Sequence, residues 1–194
     1  VASFGNISAS GGVYIGVAAE SIVSNPGTIT GSIGVILRGN DLSKVFEKIG
    51  IRFDTVKSGA YKDILSPDRP LSSDERALLQ DLIDSSYSQF VNVVAEGRKL
   101  SEETVRTFAD GRVFSGEQAK ELGLVDELGD EDHARRLAAR LADLDEDAVR
   151  PVTLGRPKKK LMSLLPGSAL VEQLQQRLSL ELMGSGQLLW LYRP

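Results

Sequence analysis

Short apolar segments alternate with helical patterns along most of this 194-residue chain, and this alternation is the feature that most limits its possible folds. Strand-like segments are expected at residues 1–4, 21–23, 32–37, 51–57 and 112–114. A helical pattern follows several of them, and strands that alternate with helices are typical of layered α/β domains. We therefore expect an α/β fold, and the chain is long enough to bury the core of one domain.

Capping residues mark where three of the helices are expected to begin. Ser72 with Glu75 and Ser115 with Gln118 have the spacing of capping boxes, and the first pair precedes the longest helical pattern. Asp41 is expected to cap a shorter helix directly. The helices should therefore start at predictable places in the chain.

The composition excludes several classes of function. A net charge of -4 and a pI near 5.2 give no electrostatic reason to expect nucleic acid as a partner. The chain has no cysteine and a single histidine, which rules out disulfides, thiol catalysis and multi-histidine metal sites. No apolar run approaches the roughly 20 residues that a membrane-crossing helix needs. We expect neither a metal nor an organic cofactor.

The segment 7–19 joins a run of small residues to an apolar stretch. It predicts a tight turn that brings Ser10 to the first turn of a buried helix. A helix N-terminus presents unpaired N–H groups that favour an oxyanion, and Gly11 and Gly12 would leave room for a substrate carbonyl. Ser10 is therefore a candidate nucleophile, although a serine in this place is also explained as a helix cap.

A serine nucleophile needs a neighbouring base that is neutral at the working pH. His133 lies in a charged helix expected over 130–144, where a surface position is the better interpretation, so a Ser-His-Asp triad is disfavoured. A lysine can serve instead where burial or a positive neighbour lowers its pKa. Lys62 lies among small and apolar residues, where partial burial is expected, although an exposed loop lysine is the alternative. Ser32 is either its hydrogen-bond partner or an ordinary turn serine.

Five short motifs follow one another along the chain. They are SASGGVY at 8–14, TGSIGV at 30–35, KSGAYKD at 57–63, GRVFSG at 111–116 and LVDELG at 124–129. In order and spacing they resemble signal peptide peptidase A, also called protease IV. The resemblance covers residues 1 to about 140, and its specificity comes from five motifs in register rather than from any one of them.

The resemblance implies a ClpP/crotonase-like layered α/β fold and a serine peptidase with a Ser-Lys dyad. It maps Ser10 to the nucleophile, Lys62 to the general base and Ser32 to the serine that orients the lysine. The backbone at Gly11 would supply one donor of the oxyanion hole. Both dyad positions occur in one copy, as in the short form of the family, whereas the long form takes them from different halves of the chain.

The resemblance also implies substrates and surroundings. Family substrates are remnant signal peptides and other unstructured or hydrophobic peptides, hydrolysed through an acyl-enzyme. The members form homo-oligomers and are membrane-associated, which places this chain at the extracytoplasmic face of a bacterial-type membrane. From the comparison with the family we expect an upstream region to be missing from this sequence, the one that would carry the membrane anchor, the first strands and a glycine-containing loop with the second oxyanion donor. We expect residues 1–145 to be an N-terminally incomplete catalytic domain.

Residues 146–194 are expected to form a C-terminal helical extension with a role of its own. A strand is expected at 149–154, a basic linker at 156–160, and an amphipathic helix from about 168 to 183 precedes an apolar end at 188–192. Such a segment exposes apolar area unless it packs on a partner. We expect it to contact a neighbouring subunit, with the membrane surface as the alternative.

Two other classes of protein are consistent with the same fold. A crotonase-like acyl-CoA enzyme would use the oxyanion site without the Ser-Lys pair. A non-catalytic relative, such as one of the phage-capsid type, would keep the fold without turnover.

Overall fold

The computed structural model describes residues 1–150 and residue 152. These residues divide into two compact units, the first formed by Val1–Val35 with Ile83–Val152 and the second by Ile36–Leu82. The strand expected at 149–154 lies largely outside the described residues, and the linker 156–160, the helix 168–183 and the apolar end 188–192 lie entirely outside them. The expected boundary at residue 145 and the role of the extension therefore stay predictions.

The first unit contains the strands. In chain order they are β1 Ala2–Phe4, β2 Ile7–Ala9, β3 Ile22–Ser24, β4 Ile29–Gly31, β5 Val113–Phe114 and β6 Glu127–Leu128. Among the described residues they form two three-stranded sheets, with the orders β1-β3-β6 and β2-β4-β5. All pairs are parallel except β4 with β5, which is antiparallel. The expected α/β class is confirmed.

Six helices accompany the strands in the described part of the chain. They are α1 Gly11–Gly16, α2 Ser43–Lys48, α3 Ser73–Arg98, α4 Glu102–Arg106, α5 Gly116–Glu121 and α6 Glu131–Leu141. Both predicted capping boxes are confirmed, because Ser72 and Glu75 exchange bonds of 3.2 and 2.9 Å and so do Ser115 and Gln118. Along residues 1–150 and 152, no helix is both long and apolar enough to cross a membrane.

The core of the first unit forms where α3 packs on α1. Phe90 and Val94 of α3 are fully buried, and the Phe90 ring meets Tyr14 of α1 edge-on at a centroid distance of 5.3 Å. α3 comes close to the C-terminal end of α1 at Gly97, where a Cβ atom would lie only 2.2 Å from the carbonyl oxygen of Val17, the residue that follows α1. This packing supports the segment from which Ser10 emerges.

Two of the predicted strands are wrong. The segment 32–37 is not a strand, because β4 ends at Gly31 and the chain turns away there with φ angles of 79° at Gly31 and 51° at Ser32. The segment 51–57 pairs with no strand in the described part of the chain, and Val56 is 97% exposed. An apolar pattern cannot supply the partner strand that a ladder requires. The strands expected at 1–4, 21–23 and 112–114 are confirmed to within a residue.

The second unit is built largely from loops. Within its described residues the regular elements are α2 and the first ten residues of α3, and no residue of α2 is buried. Phe46 and Phe53 make an edge-on contact at 4.8 Å, yet Phe53 is 54% exposed. Asp41 does not cap α2 as predicted, because the N-cap is Leu42 and the Asp41 carboxylate instead accepts bonds from the N–H and hydroxyl of Ser43.

Candidate active site

Ser10 lies at the sharp turn between β2 and α1. Its backbone has φ 52° and ψ −112°, a conformation that residues with a Cβ atom rarely adopt and that is often found at functional sites. Its N–H donates to the carbonyl of Gly31 at 2.8 Å, and its carbonyl accepts from Tyr14 at 3.0 Å. The turn is thus fixed on one side to β4 and on the other to α1.

The side chain of Ser10 does not cap the helix. Although the residue occupies the N-cap position of α1, its hydroxyl makes no capping hydrogen bond. The alternative of an ordinary helix cap is therefore wrong. A serine on a strained strand-to-helix turn is the arrangement by which α/β-hydrolases present their nucleophile.

Two glycines follow Ser10 at the start of α1. Gly11 is buried, and its backbone is the one that the family resemblance assigns to the oxyanion hole. A Cβ atom at Gly12 would lie 2.9 Å from Oγ of Ser8. At Gly12 the missing side chain therefore makes room for Ser8, a reason that the sequence alone did not suggest.

The structure brings Ser32 next to Ser10. Strands β2 and β4 are parallel, and Ala9 pairs with Gly31, so Ser10 and Ser32 are the residues that follow at the same end of neighbouring strands. Adjacent strands lie about 4.8 Å apart. The N–H of Ser32 donates to the carbonyl of Arg112 at 2.8 Å, which fixes its left-handed conformation.

Arg112 has a role in the site that was not predicted from the sequence. Its carbonyl holds Ser32, while its guanidinium binds the carboxylate of Asp110 with Nη2–Oδ2 and Nε–Oδ1 distances of 2.5 and 2.8 Å. Those bonds lower the pKa of Asp110 to about 2. The motif at 111–116 contained the signal, but only the antiparallel pairing of β5 with β4 shows what the motif does.

Thr30 supports the same strand end from inside the sheet. It is buried, and its hydroxyl donates to the carbonyl of Ser8 at 2.7 Å. The bond ties β4 to β2 two residues before Ser10. The motif at 30–35 contains this threonine but does not indicate the bond, because the bond depends on the register of two strands.

Lys62 lies in a turn of the second unit. Its N–H donates to the carbonyl of Gly59 at 3.2 Å, and the residue is exposed. The expected partial burial is therefore not found, since the small residues before Lys62 cannot cover a long side chain. The two serines belong to the first unit, so the pairing of Lys62 with Ser10 stays a prediction.

His133 has the surface position that was predicted. Its Nε2 lies 2.6 Å from Oε2 of Glu127, and the two side chains are 40% and 42% exposed. Its backbone N–H is bound by Asp130, which caps α6. Over residues 1–150 and 152, no group of three or more His, Cys, Asp or Glu side chains is placed to hold a metal ion.

A comparison with known families gives this chain its class. The sequence model of peptidase family S49 matches residues 1–145, so the chain belongs to this family of peptidases. The match covers both sheets, both serines and Lys62. The resemblance to signal peptide peptidase A is confirmed.

Three relatives show how far the similarity extends. A predicted protease of Synechocystis is 55% identical over the full length of the chain. A predicted signal peptide peptidase of Enterococcus faecium is 46% identical over 66% of the chain, and a chloroplastic serine protease of Arabidopsis thaliana is 34% identical over 86%. The chain spans 73%, 37% and 25% of these three proteins, respectively.

Proposed function

We propose that this chain is the catalytic part of a serine endopeptidase that hydrolyses peptide bonds with a Ser-Lys dyad. The observation that carries the proposal is the strained turn at Ser10, whose hydroxyl does not cap α1 and which lies beside Ser32 at the end of a parallel strand. A ClpP/crotonase-like layered fold is the architecture we propose for it. The parallel pairs and the helix that directly follows β2 support that architecture.

The proposed reaction proceeds through an acyl-enzyme. Neutral Lys62 takes the proton of Ser10 as its Oγ attacks the scissile carbonyl, and the backbone N–H of Gly11 stabilises the oxyanion that forms. Lys62 then returns the proton to the leaving amine, the peptide bond breaks, and the carbonyl carbon remains esterified to Ser10. Water, deprotonated by Lys62, hydrolyses that ester. Ser32 accepts a hydrogen bond from the lysine and orients it.

The substrates we propose are remnant signal peptides and other unstructured or hydrophobic peptides. The name of the Enterococcus relative, a signal peptide peptidase, supports this class.

We also propose a homo-oligomer, because Ile49, Phe53 and Val56 of the second unit expose 61%, 54% and 97% of their surface and such apolar side chains favour a protein contact. A place at the extracytoplasmic face of the membrane rests on the family resemblance alone.

Alanine variants of the full-length protein test the dyad. Ser10→Ala, Lys62→Ala and the double variant should each reduce hydrolysis of fluorescein-labelled casein by at least about 10³-fold and to similar levels, because residues that act as a unit are not additive. Ser32→Ala should lose less, about 10- to 100-fold, since it only orients the base. Lys120→Ala on α5 is the matched lysine control. Independent, multiplicative losses at Ser10 and Lys62 would contradict the dyad.

Two further readouts separate peptidase activity from the other uses of this fold. The wild-type protein should react with a serine-directed fluorophosphonate and Ser10→Ala should not. Its rate should rise with pH as the base loses its proton, and His133→Ala should leave that profile unchanged. Thioesterase activity that survives Ser10→Ala would indicate an acyl-CoA enzyme, and absence of labelling in the wild type would indicate a non-catalytic protein.

A further inference from the structure

The residue next to Lys62 is the centre of a group of ion pairs, here called the Asp63 network, formed by Lys57, Asp63, Arg69 and Glu75. Nζ of Lys57 lies 2.6 Å from Oδ1 of Asp63. Arg69 binds the same carboxylate with both arms of its guanidinium, from Nε to Oδ2 at 3.1 Å and from Nη2 to Oδ1 at 2.9 Å. Both oxygens of Asp63 are therefore occupied by cations other than its neighbour Lys62.

Arg69 also connects this turn to the start of α3. Its Nη1 and Nη2 donate to the two carboxylate oxygens of Glu75 at 2.8 and 2.5 Å, and Glu75 in turn closes the capping box with Ser72. The Glu75 side chain is only 4% exposed. One guanidinium thus ties the Lys62 turn to a nearly buried carboxylate at a helix N-terminus. Such paired, planar contacts fix geometry more strictly than a single ammonium contact does.

The charges of the Asp63 network balance. Bonds from Arg69 and Lys57 keep the pKa of Asp63 well below its usual range, and bonds from Arg69 and the Ser72 N–H lower the pKa of Glu75 to about 2. The two carboxylates therefore stay ionised, and each is in direct contact with a basic side chain. An unmatched carboxylate beside a lysine favours the ammonium form, whereas a matched one has little effect.

We propose that Arg69 is a positioning residue for the general base. Acting through Asp63, it holds the turn that carries Lys62 and keeps the neighbouring carboxylate from pairing with Lys62 itself. This proposal rests on the proposed role of Lys62 as the base. The other ionisable side chains close to the network in sequence are Tyr61, Asp68, Asp74 and Arg76, and all of them are kept in each variant.

Two substitutions in the same ion pair give opposite expectations. Arg69→Gln leaves the network with one excess negative charge, so the rise of casein hydrolysis with pH should move up by about 0.5 to 1 pH unit. Asp63→Asn leaves one excess positive charge, so the rise should move down by a similar amount. Both variants should also lose about 10- to 100-fold in kcat at the plateau, because the turn is less well held.

Arg69→Lys separates charge from geometry. The lysine keeps the positive charge but cannot bind a carboxylate with two arms as the guanidinium does. The pH profile should therefore stay near that of the wild type, whereas kcat should still be reduced. If Arg69→Gln does not fold, as judged by circular dichroism, Asp63→Asn and Arg69→Lys still test the proposal. Arg136→Gln, which removes an exposed arginine bound to Asp132 on α6, is the control that should change neither quantity.

The outcomes distinguish this proposal from the proposed function. Opposite shifts in Arg69→Gln and Asp63→Asn support the positioning role, since a purely structural contact would lower the rate in both without moving the profile in opposite directions. If the pH profiles of Arg69→Gln and Asp63→Asn match that of the wild type, or shift in the same direction, the positioning role is overturned. The dyad is still supported in that case if the Ser10→Ala and Lys62→Ala variants are inactive. An active Lys62→Ala variant would overturn both proposals.

Discussion

The two compact units hold their candidate catalytic residues by different means. In the first unit, backbone bonds of 2.8 Å fix Ser10 and Ser32: the N–H of Ser10 donates to Gly31 of β4, and the N–H of Ser32 donates to Arg112, the residue that precedes β5. In the second unit, side-chain ion pairs around Asp63 fix the turn that carries Lys62. Backbone bonds inside a sheet do not titrate, whereas partly exposed ion pairs depend on pH and salt. The positions of the two serines should therefore tolerate changes of pH and salt better than the position of the lysine does.

The first unit also buries its side chains more completely than the second unit does. The first unit buries Phe90, Val91 and Val94 completely, whereas α2 of the second unit buries none of its residues. Segments with few buried apolar contacts open at lower free energy than core segments. The second unit should therefore open at a lower free energy than the first.

Removing one phenylalanine ring from each unit should separate them most clearly. Phe90→Ala should lower the free energy of unfolding by about 3 to 5 kcal/mol, because a fully buried ring leaves a cavity. Phe46→Ala should lower it by only about 1 kcal/mol, because its main loss is the edge-on contact with Phe53. Chemical denaturation followed by circular dichroism measures both. Equal losses would show that the second unit is as well packed as the first.

A methyl group added at two glycines probes the same contrast. Gly97→Ala should cost about 1 to 3 kcal/mol despite the higher helix propensity of alanine, because the new Cβ meets the Val17 carbonyl at 2.2 Å. Gly59→Ala, with no atom within 4 Å of the new Cβ, should be neutral within about 0.5 kcal/mol. Thermal unfolding of the two variants provides the measurement. A stabilised Gly97→Ala protein would mean that α3 and α1 can move apart at little cost.

Substitutions at Ser10 test the strain of the catalytic turn. Ser10→Gly should be more stable than Ser10→Ala by about 1 kcal/mol, because glycine adopts φ 52° without the Cβ strain and this gain exceeds its extra entropy in the unfolded chain. Both variants should be inactive. Their midpoints of urea denaturation give the difference. A Ser10→Gly protein less stable than Ser10→Ala would show that the turn is not strained.

Acid should weaken the Asp63 network. The pKa of Glu75 is lowered on folding to about 2 from about 4.3 in the unfolded chain, so its stabilising contribution is complete above the unfolded value and is lost as the pH falls toward 2. The melting temperature of the wild type should therefore exceed that of Glu75→Gln by a constant amount above about pH 5, and the difference should shrink below it. Glu103→Gln on α4 is the control. A difference that persists unchanged in acid would contradict the ion-pair account.

Local patterns predicted the parts of the fold that depend on neighbours in sequence. The capping boxes at Ser72 and Ser115 and the junction at Ser10 were predictable, because residues within one helical turn determine them. Strands were harder to predict. β2 was not predicted, and the predictions of strands at 32–37 and 51–57 were wrong, because a strand forms only where a partner strand completes its hydrogen bonds. The arrangement of Ser10 beside Ser32 likewise depends on register.

The sequence identified the site residues through motifs, but not the contacts that hold them. Nothing in the order of residues indicated that Arg112 would bind Ser32 through its carbonyl. The bonds from Arg69 to Asp63 and Glu75 join side chains six positions away on either side, one in a turn and the other at the start of α3, so no periodicity marks them. Burial of Lys62 was expected from its small neighbours, whereas those same neighbours leave it exposed.

The backbone conformation at Ser10 also restricts which amino acids evolution can use there. Threonine carries a hydroxyl group of the same chemical kind, but its branched β-carbon is a true steric outlier at a φ of 52°. Serine and cysteine have unbranched β-carbons and share the same milder penalty. The turn therefore restricts the nucleophile by the shape of its side chain as well as by its reactivity. Threonine cannot replace serine at this position.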